Sequence, residues 1–226
     1  MNSLPRIARI GEVALLCSLN APEDPAPGLA AQQRLWQLCA RLEAERADLA
    51  LREIVPGMGN VLLRWDVLPG DPCPYSALKK RLLSLWKDTP AEDVAGREVV
   101  IPVHYGGAGG QDLEDVARHC ALTPQQVISL HTQVSYRVYC LGFQPGFAYL
   151  GGLDERLHTP RRATPRLSIP AGSVAIGGAQ TGIYPLATPG GWHIIGHTAL
   201  RLFDPTALPA ALLQPGDTVR FVAESL

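Results

Sequence analysis

Nowhere in its 226 residues does the chain hold an uninterrupted run of about 18 apolar residues, so no membrane-spanning helix is expected. An excess of charge is missing as well: 20 Lys and Arg stand against 21 Asp and Glu, a formal net charge of −1. Without a basic surplus there is no general electrostatic pull toward nucleic acid or an anionic membrane, and neither is expected as a partner. Cysteine pairing is lacking too. The five cysteines, at positions 17, 39, 73, 120 and 140, are odd in number, scattered and free of any CxxC, the pattern of reduced thiols in a cytosolic protein. The opening MNSLPRIARIGEVALLCSLN has one short apolar run and no clean cleavage site, so it reads as a first strand and not as an export signal. No HExxH, GxSxG or P-loop GK[ST] ending occurs; His193 and His197 stand four apart without a third ligand, and no metal is expected.

What is present is a globular composition, 46% hydrophobic and 18% charged, with enough length for a real core. Residues 12–19, 51–55, 61–68 and 98–103 read as strands, with a Pro-rich turn at 21–28 and a Gly-rich hairpin turn, PGMGN, at 56–60. Between them, Leu35, Leu38, Leu42 and Leu49 recur at helical spacing, as do Leu78, Leu82, Leu85 and Trp86. This order is βαββαβ, a ferredoxin-like arrangement. After residue 103 the character changes. Two short helices are expected at 112–119 and from 124, the second opened by a Thr123–Gln126 capping box with Pro124 at its first position. From 135 onward, short β-type stretches (136–140, 173–176, 192–195, 199–203, 218–223) alternate with Gly and Pro, the grammar of a closed or nearly closed β-barrel. The expected fold class is α+β, with an N-terminal α/β domain at 1–98 and a barrel domain at 99–226.

Chemistry-bearing residues gather in 142–192, where long Gly/Pro-ordered loops mark a functional surface. Arg161, Arg162 and Arg166 offer guanidinium forks for a carboxylate or phosphate, Arg161 and Arg166 being the stronger candidates. Phe143, Phe147 and Tyr149 alternate with Gly142, Pro145 and Gly146, and can wall a small-molecule pocket or pack the barrel mouth. Ser173, Gln180, Thr181 and Tyr184 add neutral hydrogen-bonding groups, and Trp192 follows Gly191, where backbone can approach a ligand. Gly106, Gly107, Gly109 and Gly110 resemble a weak phosphate cradle, although Asp112 there would repel phosphate and reads better as a helix cap. His104 and Arg166 are the candidate catalytic groups; His131 is read as structural, at a helix end that favours a cation.

The strings GF-PGF-YLGG (142–152), TPR---PRL-IPAGSVAI (159–176), QTGIYP (180–185), PGGW--IG-T (189–198), FDP (203–205) and the upstream HYGG--G-DL (104–113) resemble the KipI / allophanate hydrolase subunit 1 family. That resemblance implies a small α/β domain followed by a cyclophilin-like barrel. It further implies a cytoplasmic, non-autonomous B subunit of bacterial 5-oxoprolinase, working with an A and a KipA-like C subunit, the latter of related barrel fold. The substrate would be the small molecule 5-oxo-L-proline and the co-substrate ATP, with Mg. Two alternatives accompany it: an inhibitor of histidine-kinase autophosphorylation, and a subunit of a urea- or allophanate-processing system.

Overall fold

A computed structural model describes residues 4–19, 28–66, 73–91 and 96–224. The chain divides into two compact units, Met1–Val94 and Ala95–Leu226. The expected Pro-rich turn at 21–28 lies outside the described residues except for Gly28, as do residues 67–68 of the third expected strand.

In the first unit, β1 (Arg6–Ile10), β2 (Ala14–Ser18), β3 (Leu51–Pro56) and β4 (Asn60–Trp65) form an antiparallel sheet ordered β1-β2-β4-β3. Strand β4 alternates half-buried and buried residues, burying Val61, Leu63 and Trp65, because period-2 side chains put one face on the core. Helices α1 (Leu29–Ala44) and α2 (Tyr75–Lys87) bring Leu35, Leu38, Leu42, Leu78, Leu82 and Leu85 into the same core. The β3–β4 turn is fastened to α1: the Gln32 side chain accepts from the Gly59 amide (2.8 Å) and donates to the Gly57 carbonyl (3.1 Å). The observed order is ββαββα, not the expected βαββαβ. Residues 98–103 leave this sheet for the second unit, and the edge beside β2 is filled by β1, whose mostly exposed RIARI carries no apolar alternation to announce it.

In the second unit, seven strands close a barrel in the order β10-β7-β6-β13-β5-β12-β9: β5 (Glu98–Tyr105), β6 (Ser135–Leu141), β7 (Ala148–Gly151), β9 (Ser173–Gly177), β10 (Gln180–Ile183), β12 (His193–His197) and β13 (Thr218–Ala223). β5 and β13 run parallel in register from Glu98↔Thr218 to Val103↔Ala223, and every other pairing between these strands is antiparallel. The buried Asp217 carboxylate anchors that parallel pair, accepting from the Arg97 amide (3.0 Å), the Arg97 guanidinium (2.6 Å) and the Gln214 amide (2.9 Å). A two-stranded ribbon, β8 (Arg166–Ile169) and β11 (Thr188–Gly190), stands apart from the barrel sheet. Helices α3 (Leu113–His119) and α4 (Pro124–Thr132) add Leu113, Val116, Val127 and Leu130 to the barrel core, and α4 begins on the expected Thr123–Gln126 capping box. The stretch at 199–203 is no strand; it contributes one bridge, Phe203↔Ala211.

His131, read as structural from the sequence, is so in the fold, but as a neutral ring inside the barrel and not as a cation at its helix end. Its ring is fully buried against Phe221 and Tyr136. The Thr181 hydroxyl donates to the Ala175 carbonyl (3.0 Å) and so accepts from His131 Nε2 (2.8 Å), leaving Nδ1 to accept from the Tyr105 hydroxyl (2.7 Å). Desolvation lowers the imidazole from 6.5 to about 3, so the ring is neutral. The unfolded chain takes up a proton near pH 6.5 that the folded chain refuses until about pH 3, so stability is complete above 6.5 and falls across that window. Relative to a His131→Gln variant, the protein is expected to lose up to about 1.4 kcal/mol per pH unit there, read from denaturation midpoints. Parallel pH profiles for the two proteins would show that the ring titrates normally.

A candidate small-molecule pocket beside the barrel

Outside the main barrel core lies a smaller cluster of Phe147, Ile169, Ala175, Tyr184, Trp192 and Ile194, and over it opens a cavity of about 300 Å³. Four segments supply its walls. The β6–β7 turn provides Phe143 and Phe147, and β7 itself Tyr149; the long loop before β8 provides Arg161 and Pro165; the end of β10 leads to Tyr184; and β11 with the residues after it provides Pro189, Gly190, Gly191 and Trp192. Phe147 is the hub, meeting Tyr149, Tyr184 and Trp192 edge to face at centroid distances of 5.1, 5.5 and 5.6 Å. Such pairs prefer this geometry and hold one another in place. Phe143, 59% exposed and at a left-handed φ of 65°, stands at the mouth with its ring 5.5 Å from that of Phe147. The Trp192 indole lies flat over Gly177, where a Cβ would fall 2.5 Å from three of its atoms; only glycine leaves room for the ring.

The walls are apolar, and their polar tips are few. Burial raises both the Tyr184 and Tyr149 phenols above their usual value, so both are neutral donors at physiological pH. The Tyr184 oxygen already accepts from the Trp192 backbone amide. Arg161 is the one cation on the wall, its guanidinium 6.0 Å from the Trp192 ring centroid, and it makes no ion pair among the described residues. The neighbouring arginines are committed elsewhere. Asp112, 2% exposed, accepts a two-pronged bond from Arg166 (2.7 and 2.8 Å), a third from Arg162 (3.0 Å) and a fourth from the Ile194 amide (2.7 Å). Burial by itself would raise this carboxyl; the bonds from Arg166 and Ile194 and the charge of Arg162 outweigh it and hold the group below the usual carboxylate range. Its own amide donates to the Ile194 carbonyl (2.8 Å).

Of the residues singled out in the sequence, Phe143, Phe147, Tyr149, Arg161, Tyr184, Gly191 and Trp192 come together on this pocket. Pro145 and Gly146 belong to the turn that carries Phe143 and Phe147 without lining it. The remaining candidates are placed differently. Arg166 is bound to Asp112 and is not a free anion site. Ser173 and Thr181 are buried in the barrel, Thr181 against His131, and Gln180 opens β10 opposite Gly177. His104, on β5, pairs at the surface with Glu224 (2.9 Å) and is no pocket base. In the glycine turn, the Gly106 and Gly110 amides donate to the Ile195 and Gly107 carbonyls and so are not turned to a phosphate, and Gly110 packs so closely on the β12 backbone that any Cβ would strike it. Asp112 precedes α3 but makes no side-chain cap. Sequence reasoning missed Pro165, Pro189, Gly190 and the role of Asp112 as an arginine clamp; the signal was an acid placed beyond a glycine turn in a chain with three clustered arginines.

Residues 5–213 match the family model for the carboxyltransferase domain, subdomains C and D, and the chain belongs to that family. Its curated relatives carry a more specific name. The B subunit of 5-oxoprolinase from Escherichia coli O157:H7 is 50% identical over 216 residues, covering 95% of this chain and 94% of that protein. Its namesake in Haemophilus influenzae is 48% identical over 226 residues, covering 100% and 99%. Among solved structures, TTHA0988 superposes with a TM-score of 0.75 at 37% identity over 94% of this chain, which spans only 40% of that longer polypeptide. The Kluyveromyces lactis urea carboxylase superposes with a TM-score of 0.76 at 20% identity, a likeness of fold alone, covering 98% of this chain and 22% of that one.

Gly177→Ala is expected to push the Trp192 indole out of its seat, costing about 1–3 kcal/mol and changing the tryptophan fluorescence. A Trp192→Phe background should remove the fluorescence change. Native stability and an unaltered spectrum in the Gly177→Ala variant would mean that the ring does not lie against that glycine.

Proposed function

We propose that this chain is the cytoplasmic B subunit of an ATP-dependent 5-oxoprolinase, an enzyme whose complex hydrolyses the lactam of 5-oxo-L-proline to L-glutamate. The names of near-full-length relatives at 50% and 48% identity support that reading. The single structural observation that carries it is Arg161: a guanidinium with no ion pair among the described residues, on the wall of an otherwise aromatic and proline-lined cavity of about 300 Å³. A planar five-membered lactam bearing one carboxylate matches that chemistry. The ring lies against Phe147 and Trp192, the carboxylate meets Arg161, and the Tyr149 and Tyr184 hydroxyls are the nearest donors for an amide oxygen. The pocket would therefore bind and orient the substrate and shield it from water. The barrel is read as cyclophilin-like. The A subunit of the enzyme, and its C subunit of related barrel fold, are the proposed partners, with ATP and Mg as co-substrates of the assembly. The nucleotide is assigned to the partner chains, since the Gly106 and Gly110 amides of the glycine turn already donate to the Ile195 and Gly107 carbonyls.

The test is reconstitution with the A and C subunits, with glutamate release measured in the presence of ATP and 5-oxo-L-proline. Arg161→Ala is expected to raise KM for 5-oxo-L-proline roughly ten- to hundredfold, the loss of one charged hydrogen-bonding partner. An unchanged KM would remove Arg161 from the site.

A further inference from the structure

We propose that Asp112 is the positioning residue of this pocket: by holding Arg162 and Arg166 and tying down the start of β12, it leaves Arg161 as the one guanidinium presented to the substrate carboxylate. The proposal rests on the reading of the pocket as the 5-oxo-L-proline site.

Three arginines fall within six residues, two on the loop before β8 and one at its first residue, and like charges so close repel. Left to themselves, all three guanidiniums would spread toward water or compete for one anion. The Asp112 carboxylate sorts them. Its two oxygens take both prongs of Arg166 and one of Arg162, and the Arg162 amide adds a backbone bond to the Gly191 carbonyl (2.8 Å). Arg161 is thus immediately followed by a residue held at both side chain and backbone. On the other side, the Pro160 carbonyl is 3.0 Å from His193 Nε2. Flanked by these two anchors, Arg161 stays on the pocket wall without touching Asp112 itself.

The same carboxylate fixes the opposite wall. Asp112 exchanges two bonds with Ile194, its amide to the Ile194 carbonyl and the Ile194 amide to its Oδ2 (2.8 and 2.7 Å). Ile194 follows Trp192 by two residues, Trp192 standing at the bend that leads into β12. The Arg161 guanidinium and the Trp192 ring therefore share one reference point, and the distance between them is set by a group that touches neither.

The experiment uses the reconstituted complex. Asp112→Asn keeps the shape and gives up the charge; it is expected to raise KM for 5-oxo-L-proline about tenfold, with kcat and the KM for ATP within about twofold. In an Arg161→Ala background, the same substitution should add less than about twofold, because the guanidinium it positions is gone. Should Asp112→Asn fail to assemble, Arg162→Gln leaves the two-pronged Arg166 bond intact and is read in the same cycle, with a smaller KM increase that again vanishes without Arg161. KM effects that multiply in the double variants, or a fall in kcat with KM unchanged, would overturn the positioning role while leaving the pocket assignment standing. A wild-type complex that releases no glutamate overturns the functional reading and this proposal together.

Discussion

Two largely buried positive charges and one fully buried negative charge tie together the segments beside the pocket. Taking a carboxylate out of water costs several kcal/mol, and it persists only where its lone pairs are used. Asp112 meets that condition with four bonds, three from guanidinium nitrogens and one from a backbone amide. Its partners lie on the loop before β8, at the first residue of β8 and on β12, elements that the barrel sheet alone does not connect. Remove the carboxylate, and two cations, each about three-quarters buried, lose the counter-charge that lets them sit there.

The second unit carries two apolar cores with different duties. The larger fills the barrel between Ile101, Tyr136, Val174 and Phe221 and sets the strand positions. The smaller, built around Phe147 and Trp192, lies against the outward-facing side of β9 and β12, since Ala175 and Ile194 belong to it while Val174, Ile176 and Ile195 belong to the barrel interior. Alternation along a strand thus yields a core on one face and the floor of a binding cavity on the other. The floor of the pocket is founded on strands closed into a barrel, while turns and loops complete its walls.

Much of this is legible in the amino-acid sequence. Helices α1 and α2 declare themselves because leucines at helical spacing against charges admit few other readings, and α4 because its cap, its proline and its periodicity agree. The strands that escape notice are short or peripheral. β7, β8, β10 and β11 have three or four residues each, too few for a period to register. β1 is mostly exposed, so its strand character comes from hydrogen bonds to β2 and not from its side chains. Residues 98–103 are recognisable as a strand but belong to a different sheet from the one expected, because their partner, β13, lies some 120 residues downstream and pairing is a property of the closed barrel. At the site, the aromatic, Gly and Pro pattern locates the pocket. Local spacing does not separate Arg161 from Arg166: both directly follow a proline, and only the buried carboxylate, fifty residues earlier in the chain, tells them apart.

The pocket's own inventory also bears on how work is divided in the assembly. Opening a lactam at neutral pH calls for groups that exchange protons near pH 7 and for charge stabilisation at the amide. Among the residues lining this cavity there is no carboxylate and no histidine, and its two phenols are pushed further from neutrality by burial. His131, the fully buried imidazole, sits inside the barrel, neutral and saturated with hydrogen bonds, where no substrate atom reaches it. What the wall does offer is a permanent cation, aromatic faces and two hydroxyl donors, groups that bind and orient but do not shuttle protons. Such a composition is consistent with the proposed role, a chain that holds substrate for chemistry supplied by other subunits, and on that reading the geometry of Arg161 relative to Trp192, rather than any acid or base, is what the buried Asp112 clamp would keep.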